Sequence, residues 1–251
     1  MVGAIFRFLT TAGAVLALLG GVPGARAGEA GNVERCLSYA AGLSLGAPLP
    51  HARAQLRAGK SITIVALGSS STVGFGTFDK SYPQVLKAEL VRLHPGLRVT
   101  MINSGRVLDT IPGNVGRLGR DVLRYRPNLV VWQLGTNDVL WRGIPGNAEA
   151  MVRRGVRRLK AAHADVILMD LQYAPAVRRR ASAARMEELI ATVARDEKVG
   201  LFPRFALMQR AIEGGVGGLV AFDRLHNSGA GYRCVGLALA RMIDRGSVAG
   251  H

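Results

Sequence analysis

Acidic residues, aromatic residues and histidines are all scarce in this chain. Its 251 residues include 17 Asp and Glu against 33 Lys and Arg, five His, and only 6% aromatic residues. The histidines show no spacing typical of metal ligands and no Gly-rich phosphate loop is present, so we expect neither a metal site nor a cofactor. No aromatic side chains interleave the basic runs 153–160 and 178–180, which disfavours nucleic acid as a partner.

A long apolar segment is also missing, because the run 8–22 is shorter than the roughly 20 residues that a membrane span needs. Arg7 precedes this run and the small-residue sequence Ala-Arg-Ala ends at Ala27, a pattern typical of a cleaved export signal and favoured here over a retained anchor. We therefore expect a signal peptide at residues 1–27, an N-terminal arm at 28–60, and one main domain at 61–251. The mature protein is expected to be periplasmic or extracellular, without a stable membrane span.

Cysteine is limited to Cys36 and Cys234. In an oxidising compartment this pair favours one disulfide between the N-terminal segment and the C-terminal helix, with two buried free thiols as the alternative. The formal net charge of +16 favours an anionic partner such as an acidic envelope polymer. An arginine-rich composition without any such partner explains the charge equally well.

Apolar segments of strand length alternate with amphipathic segments of helix length. The strands are predicted at 62–67, 97–102, 129–134 and 166–171, with a weaker one at 199–202. The helices are predicted at 82–94, 115–125, 148–163, 182–198 and 231–243. This alternation indicates an α/β domain of three layers, α/β/α, with about five parallel strands.

Chemically useful residues follow three of these strands, where ligands of such sheets collect. "GSSST" places Ser70 in a tight turn after the first strand, with backbone N–H groups nearby. "NSG" after the second strand contains Gly105, where the backbone can approach a ligand closely. "GTND" after the third strand offers the carboxamide of Asn137, while Asp138 is assigned to the turn itself.

"DRLH" precedes the last predicted helix and holds Asp223 and His226 three residues apart. This spacing lets the carboxylate orient the imidazole. Together the four segments supply a nucleophile, oxyanion donors, a base and an orienting acid.

In this order the four segments resemble those of the SGNH, or GDSL-like, hydrolases over residues 62–243, with "GTND" and "DxxH" matching the family pattern. The resemblance implies a flavodoxin-like fold in which Ser70 is the nucleophile, His226 the base and Asp223 the orienting acid. It further implies an oxyanion hole made by the backbone N–H groups of Ser70 and Gly105 and the side chain of Asn137. Two positions depart from the family: Ser69 replaces an acid, and Leu108 stands where another glycine is common.

The implied function is an exported serine esterase that hydrolyses carboxylic esters, with an O-acetyl group on an envelope or extracellular glycan as the first substrate hypothesis. Lysophospholipid or thioester hydrolysis is the alternative activity, and a binding protein that keeps the scaffold without activity is the alternative class. The α/β-hydrolase fold, which holds its serine in "GxSxG" in mid-sheet, is disfavoured because Ser70 follows the first strand, Thr72 replaces the second glycine, and Asp223 and His226 share one short segment.

Overall fold

The computed structural model describes residues 23–77 and 81–248, so residues 1–22 of the predicted signal peptide lie outside the described residues. Five parallel strands form one sheet in the order β2-β1-β3-β4-β5. The strands are β1 Ser61–Gly68, β2 Arg98–Gly105, β3 Leu129–Gln133, β4 Asp165–Met169 and β5 Gly200–Phe202. The predicted α/β class with five parallel strands is thus confirmed.

Helices cover both faces of the sheet. They are α1 Pro23–Ser38, α2 Pro50–Ala58, α3 Ser70–Val73, α4 Tyr82–Leu93, α5 Ile111–Gly116, α6 Leu118–Asp121, α7 Ala148–Ala161, α8 Pro175–Arg178, α9 Ala183–Asp196, α10 Arg204–Glu213 and α11 Gly229–Val248. A 3₁₀ turn at Leu123–Tyr125 and a π-helical turn at Asp138–Arg142 complete the order.

Each face of the sheet contributes to a separate hydrophobic core. Along β1, Ile64 and Ala66 point into the core shared with α1, α2, α4 and α11, whereas Val65 and Leu67 point into the core shared with α7 and α9. Successive side chains of a strand alternate between its faces. Strands buried on both faces therefore need the nearly continuous apolar segments that the sequence contains.

The single helix predicted at 115–125 is wrong, because this segment forms the end of α5, then α6 and the 3₁₀ turn. Gly116 and Gly119 are poor helix formers, and Arg117 between them leaves helical geometry with φ −108° and ψ 5°. Its guanidinium turns into the protein and donates to Asp109. The arm at 28–60, expected to be irregular or partly helical, contains most of α1 and all of α2. Helix α10 was not predicted from the sequence.

A disulfide joins Cys36 of α1 to Cys234 of α11, and both residues are buried. The bond joins two residues that are 198 positions apart in the sequence. It ties the N-terminal helix to the last helix of the domain on the face opposite α7 and α9. Among the described helices, none combines the length and the apolar character needed to cross a bilayer.

Candidate active site

Ser70 is the first residue of α3, directly after the sharp turn that connects β1 to this helix. Ser69 before it has an extended backbone, with φ −102° and ψ −152°. The turn requires glycine at position 68, because a Cβ there would lie 2.3 Å from Thr72 Oγ1. Ser70 is thereby held at the carboxyl end of the sheet, with 8% of the residue exposed.

Ser70, His226 and Asp223 form a continuous row of hydrogen bonds. The Nε2 atom of His226 lies 2.8 Å from Ser70 Oγ, and its Nδ1 atom lies 2.6 Å from Asp223 Oδ2. The other carboxylate oxygen accepts the backbone N–H groups of Leu225 and His226 at 3.0 and 2.9 Å. The structure therefore brings the three predicted side chains together, and the local turn fixes the acid relative to the imidazole.

The surroundings of the row keep Asp223 ionised. Burial alone would raise the pKa of this carboxyl, but hydrogen bonds from the His226 side chain and from the two backbone amides hold it below its ordinary value. The ring of Phe75 lies 4.6 Å from the His226 ring, centroid to centroid, and shields the imidazole. The carboxylate on Nδ1 also fixes the orientation of the imidazole ring, so that Nε2 faces Ser70.

Asn137 follows β3 and precedes the π-helical turn. Its Nδ2 atom donates to the backbone oxygen of Asp109 at 2.8 Å. A carboxamide carries two N–H groups, so this bond orients the side chain and leaves the second N–H for a ligand. The residue is buried at the same edge as Ser70.

Gly105 ends β2 in close contact with α3. A Cβ at this position would lie 2.5 Å from the backbone nitrogen of Val73, so only glycine fits. Its N–H, however, already donates to Asn103 Oδ1 at 3.0 Å. The side-chain Nδ2 of Asn103 in turn donates to the carbonyl of Thr72 at 2.8 Å. The structure places Gly105 beside the turn that carries Ser70, with its N–H engaged.

Leu108, in the loop after β2, adopts a backbone conformation rare for leucine. Its φ is 61°, in the left-handed region that favours glycine. Its N–H has no hydrogen-bond partner in the part of the chain that the structure describes. The side chain, 62% exposed, lines a cavity of about 370 Å³ together with Asn137, Trp141 and Arg142.

Gln133 is a site residue that the sequence analysis missed. Its Oε1 accepts both the backbone N–H and the hydroxyl of Ser69 at 2.9 Å, and the Thr72 hydroxyl at 3.3 Å. Ser69, the residue that replaces the family's acid, thus ties the turn before Ser70 to the end of β3 by hydrogen bonds. A glutamine that ends an otherwise apolar strand was the available signal.

Asp109 and Arg117 form a buried ion pair that the sequence analysis also missed. Arg117 Nε donates to Asp109 Oδ2 at 2.6 Å, and its NH2 group donates to the carbonyl of Gly68 at 3.0 Å. The pair ties the loop after β2 to the end of β1, directly before Ser69 and Ser70. Loss of Arg117 would leave the Asp109 carboxylate as an uncompensated buried charge, whereas Arg117 also donates to Asp121 at 3.2 Å.

Asp138 does more than serve its own turn, the role predicted from the sequence. It is completely buried, and both of its carboxylate oxygens accept the N–H of Ile111 at 3.2 Å. Burial raises the pKa of this carboxyl to about 6, against the opposing effect of the Ile111 hydrogen bond. Asp138 therefore joins the turn after β3 to the first turn of α5.

Among residues 23–77 and 81–248, no cluster of three or more His, Cys, Asp or Glu side chains could hold a metal ion. The groups at this edge suit nucleophilic attack on a carbonyl. A hydroxyl, an imidazole and an ionised carboxylate are joined by hydrogen bonds in that order, with amide donors nearby.

Comparison with known proteins identifies the family. Residues 21–249 match the non-GDSL lipase-like family. An arylesterase from Vibrio mimicus is 29% identical over 144 residues, which cover 57% of this chain and 70% of the relative. The esterase TesA of Pseudomonas aeruginosa is 28% identical over 166 residues, which cover 65% of this chain and 79% of the relative.

The fold is shared with a crystal structure of a two-domain esterase active on acetylated mannans. The two superpose with a TM-score of 0.65 at 19% identity over 78% of this chain, and the chain spans about half of that protein's length, 52%. The likeness at this identity concerns the fold. The chain belongs to the non-GDSL lipase-like family and is an ester hydrolase of the SGNH type.

Proposed function

We propose that this ester hydrolase is an exported serine carboxylesterase in which Ser70 attacks the ester carbonyl. The row from Ser70 Oγ through His226 to Asp223, with distances of 2.8 and 2.6 Å, is the observation that carries the proposal. Such a row is the arrangement by which an unactivated hydroxyl becomes a nucleophile at neutral pH.

In the first half of the reaction, His226 Nε2 accepts the Ser70 proton while Oγ bonds to the carbonyl carbon. The carbonyl oxygen becomes an oxyanion, and Asp223 stabilises the imidazolium through Nδ1–H. Collapse of the tetrahedral intermediate breaks the bond to the alcohol oxygen, which takes the proton from His226. Water then attacks the acyl-enzyme with His226 again as base, and releases the carboxylic acid and Ser70.

The oxyanion would be bound by the backbone N–H of Ser70 and by the free N–H of Asn137. Gly105 is the third donor proposed from the sequence, but its N–H must first leave Asn103 Oδ1. The N–H of Leu108, a residue that shares a cavity with Asn137, is the alternative to Gly105 as the third donor of the oxyanion hole. Each donor of this kind contributes about a hundred- to a thousandfold to the rate.

Export is proposed from the leader pattern at residues 1–27 and is supported by the disulfide between Cys36 and Cys234. Such bonds persist in oxidising compartments and are rare in the cytosol. The periplasm or the extracellular space is the proposed location.

For the substrate, we propose an O-acetyl ester on an envelope or extracellular glycan. The fold neighbour active on acetylated mannans and the net charge of +16, which attracts acidic polymers, support this choice. Hydrolysis of longer acyl esters, such as lysophospholipids or thioesters, is the second candidate. It is favoured by two exposed apolar side chains: Phe75, which contacts the His226 ring, and Leu108, which lines the cavity with Asn137.

Hydrolysis of p-nitrophenyl esters from acetate to laurate tests the proposal, with Ser70→Ala and Ser71→Ala compared with the wild type. We expect Ser70→Ala to lower kcat by at least about a thousandfold and to abolish labelling by a fluorophosphonate. Ser71, the neighbouring buried hydroxyl, is the matched control and should retain both.

A maximum at acetate would support the glycan ester, and a rise with chain length would support the longer acyl ester. Activity that survives Ser70→Ala would refute the proposed nucleophile. A wild type that neither hydrolyses these esters nor reacts with fluorophosphonate would favour the inactive binding protein.

A further inference from the structure

The π-helical turn Asp138–Arg142 presents two side chains to solvent directly after the oxyanion residue. Val139 and Leu140 of this turn are buried in the core on the α7 side, whereas Trp141 is 61% exposed and Arg142 is also exposed. Turns of this type are rare and are frequent at functional sites. The buried side chains of Val139 and Leu140 anchor the turn, so its backbone holds Trp141 in the outward position.

Trp141 and Arg142 line the cavity of about 370 Å³ that also contacts Leu108 and Asn137. Asn137 is part of the proposed oxyanion hole, so a ligand group in this cavity lies next to the carbonyl under attack. Two of the lining side chains are large and apolar, and one is a cation. Such a lining suits an apolar portion of a substrate that also carries an anion.

The carboxylates at this edge do not neutralise Arg142. Asp138 is completely buried beneath the turn, Asp109 is bound by Arg117, and Asp223 is bound to the imidazole of the catalytic row. Each acid is therefore committed to a partner inside the protein.

Arg142 itself has no carboxylate within 4.0 Å in the described residues, and the exposed Arg224 beside the catalytic acid has none either. An arginine without a carboxylate partner at the mouth of a cavity can bind a carboxylate or phosphate through two parallel hydrogen bonds. The overall positive charge of the chain adds a long-range attraction for the same kind of group.

We propose that Trp141, Leu108 and Arg142 form a subsite that selects esters bearing a carboxylate or phosphate close to the scissile bond. Trp141 and Leu108 contact the apolar atoms next to the ester, and Arg142 binds the anion. The inference rests on the proposed function, because it requires Asn137 to lie at the reacting carbonyl. It names the feature that would distinguish the natural substrate from a neutral acetyl ester.

Two matched pairs of esters test the subsite and locate the anion. The pair p-acetoxybenzoate and its methyl ester differ by a carboxylate on the alcohol side. Mono-p-nitrophenyl succinate and its methyl ester differ by a carboxylate on the acyl side. The readout is the ratio of kcat/KM for the anionic ester to that for the neutral ester, measured for the wild type, Arg142→Gln, Arg142→Lys and Arg57→Gln.

We expect Arg142→Gln to lower this ratio about five- to tenfold in one of the two pairs, as for a charge-assisted contact that is partly screened. Arg142→Lys should keep part of the preference, because it keeps the charge and loses the paired donors. Arg57→Gln is the charge-matched control: Arg57 is exposed near the end of α2, which leads to the amino end of β1, and it should leave the ratio unchanged.

A ratio that is the same in Arg142→Gln and the wild type for both pairs would overturn the subsite. So would an equal fall in Arg57→Gln, since that would reflect net charge alone. Hydrolysis that persists after Ser70→Ala would instead overturn the proposed mechanism, so the two failures are distinguishable.

Discussion

The edge of the sheet that holds Ser70 and the face that holds the disulfide differ in what they expose. Seven large apolar side chains of the described residues are exposed, and all except Val91 belong to segments that follow a strand or adjoin Asp223: Val73, Phe75, Val107, Leu108, Trp141 and Phe222. On the other face, Cys36 and Cys234 lie in a core of buried side chains from α1, α4 and α11.

This difference indicates that recognition and stability are carried by separate parts of the molecule. Exposed apolar groups oppose folding in water and are retained where a ligand covers them. Buried apolar groups and a long-range disulfide stabilise the fold. This core meets the site at two hydroxyls, since Tyr232 Oη donates to the Phe75 carbonyl at 3.4 Å and Tyr82 Oη lies 3.2 Å from Thr72 Oγ1. Variants in the two regions should therefore affect different measurements.

Asn137→Ala is expected to give the largest effect among the variants that separate the two regions. Loss of one oxyanion donor should lower kcat on p-nitrophenyl acetate by about a hundred- to a thousandfold. Asn147→Ala is the control, because Asn147 is an exposed asparagine whose side chain makes no cap hydrogen bond to α7. An unchanged kcat with a raised KM would show that Asn137 binds substrate without stabilising the oxyanion.

Replacement of both Cys36 and Cys234 by alanine should lower stability and leave kcat unchanged, the reverse of what is expected for Asn137→Ala. Loss of the disulfide is expected to lower the free energy of unfolding by about 2–5 kcal/mol, as measured by denaturant titration. The kcat of the folded variant should match that of the wild type with its disulfide intact. A fall in kcat under conditions where the variant is fully folded would show that α1 and α11 also control the active site.

Leu108 tests whether the left-handed backbone of one residue, at the edge of the sheet that holds Ser70, lowers the stability of the fold. Leu108→Gly removes the penalty of a left-handed backbone, about 1–2 kcal/mol, and loses part of that gain to the greater entropy of the unfolded glycine. Leu108→Ala keeps the penalty. We therefore expect the glycine variant to be more stable than the alanine variant by about 1 kcal/mol or less in urea unfolding, and equal stabilities would contradict the strain.

The remaining prediction is a dependence of stability on pH that comes from partly or fully buried acids. Burial raises the pKa of Asp138 to about 6, and burial also raises the pKa values of Asp170 and Glu187 to about 7. Folded-state pKa values above the unfolded ones mean that the folded protein favours the protonated forms. Their contribution to stability is therefore present at low pH and is lost as pH rises through about 6–7.

The Tm should consequently rise as pH falls from 8 to 5, with each kcal/mol gained worth about 2–4 °C for a chain of this size. Asp138→Asn should reduce this rise, because the amide keeps an acceptor for the Ile111 N–H and cannot ionise. Below about pH 4 the trend should reverse, since Asp121 and Asp223 have pKa values lowered by their partners, to about 2 for Asp121. A Tm that falls steadily from pH 8 to 5 would contradict the effect of the buried acids.

The amino-acid sequence alone determined the parallel sheet and the order of the residues at its carboxyl edge. Strands buried on both faces need continuous apolar segments, and the carboxyl ends of parallel strands meet at one edge. Ser70, Gly105 and Asn137 could therefore be placed near one another from the sequence, and the resemblance to the SGNH hydrolases added His226 to this group.

Side-chain contacts between loops and strand ends were decided only by the tertiary structure. Gln133, at the end of β3, accepts from Ser69, which follows the neighbouring strand β1. Arg117 donates to Asp109 and to the carbonyl of Gly68. No local periodicity encodes such partners, because they depend on how loops pack above the sheet.

The tertiary structure also decided backbone details that oppose local propensity. Leu108 is held at a positive φ, and the segment predicted as one helix from 115 to 125 breaks where the side chain of Arg117 turns inward. Buried hydrogen bonds and an ion pair outweigh helix propensity there, since an unpaired buried charge is more costly than an interrupted helix.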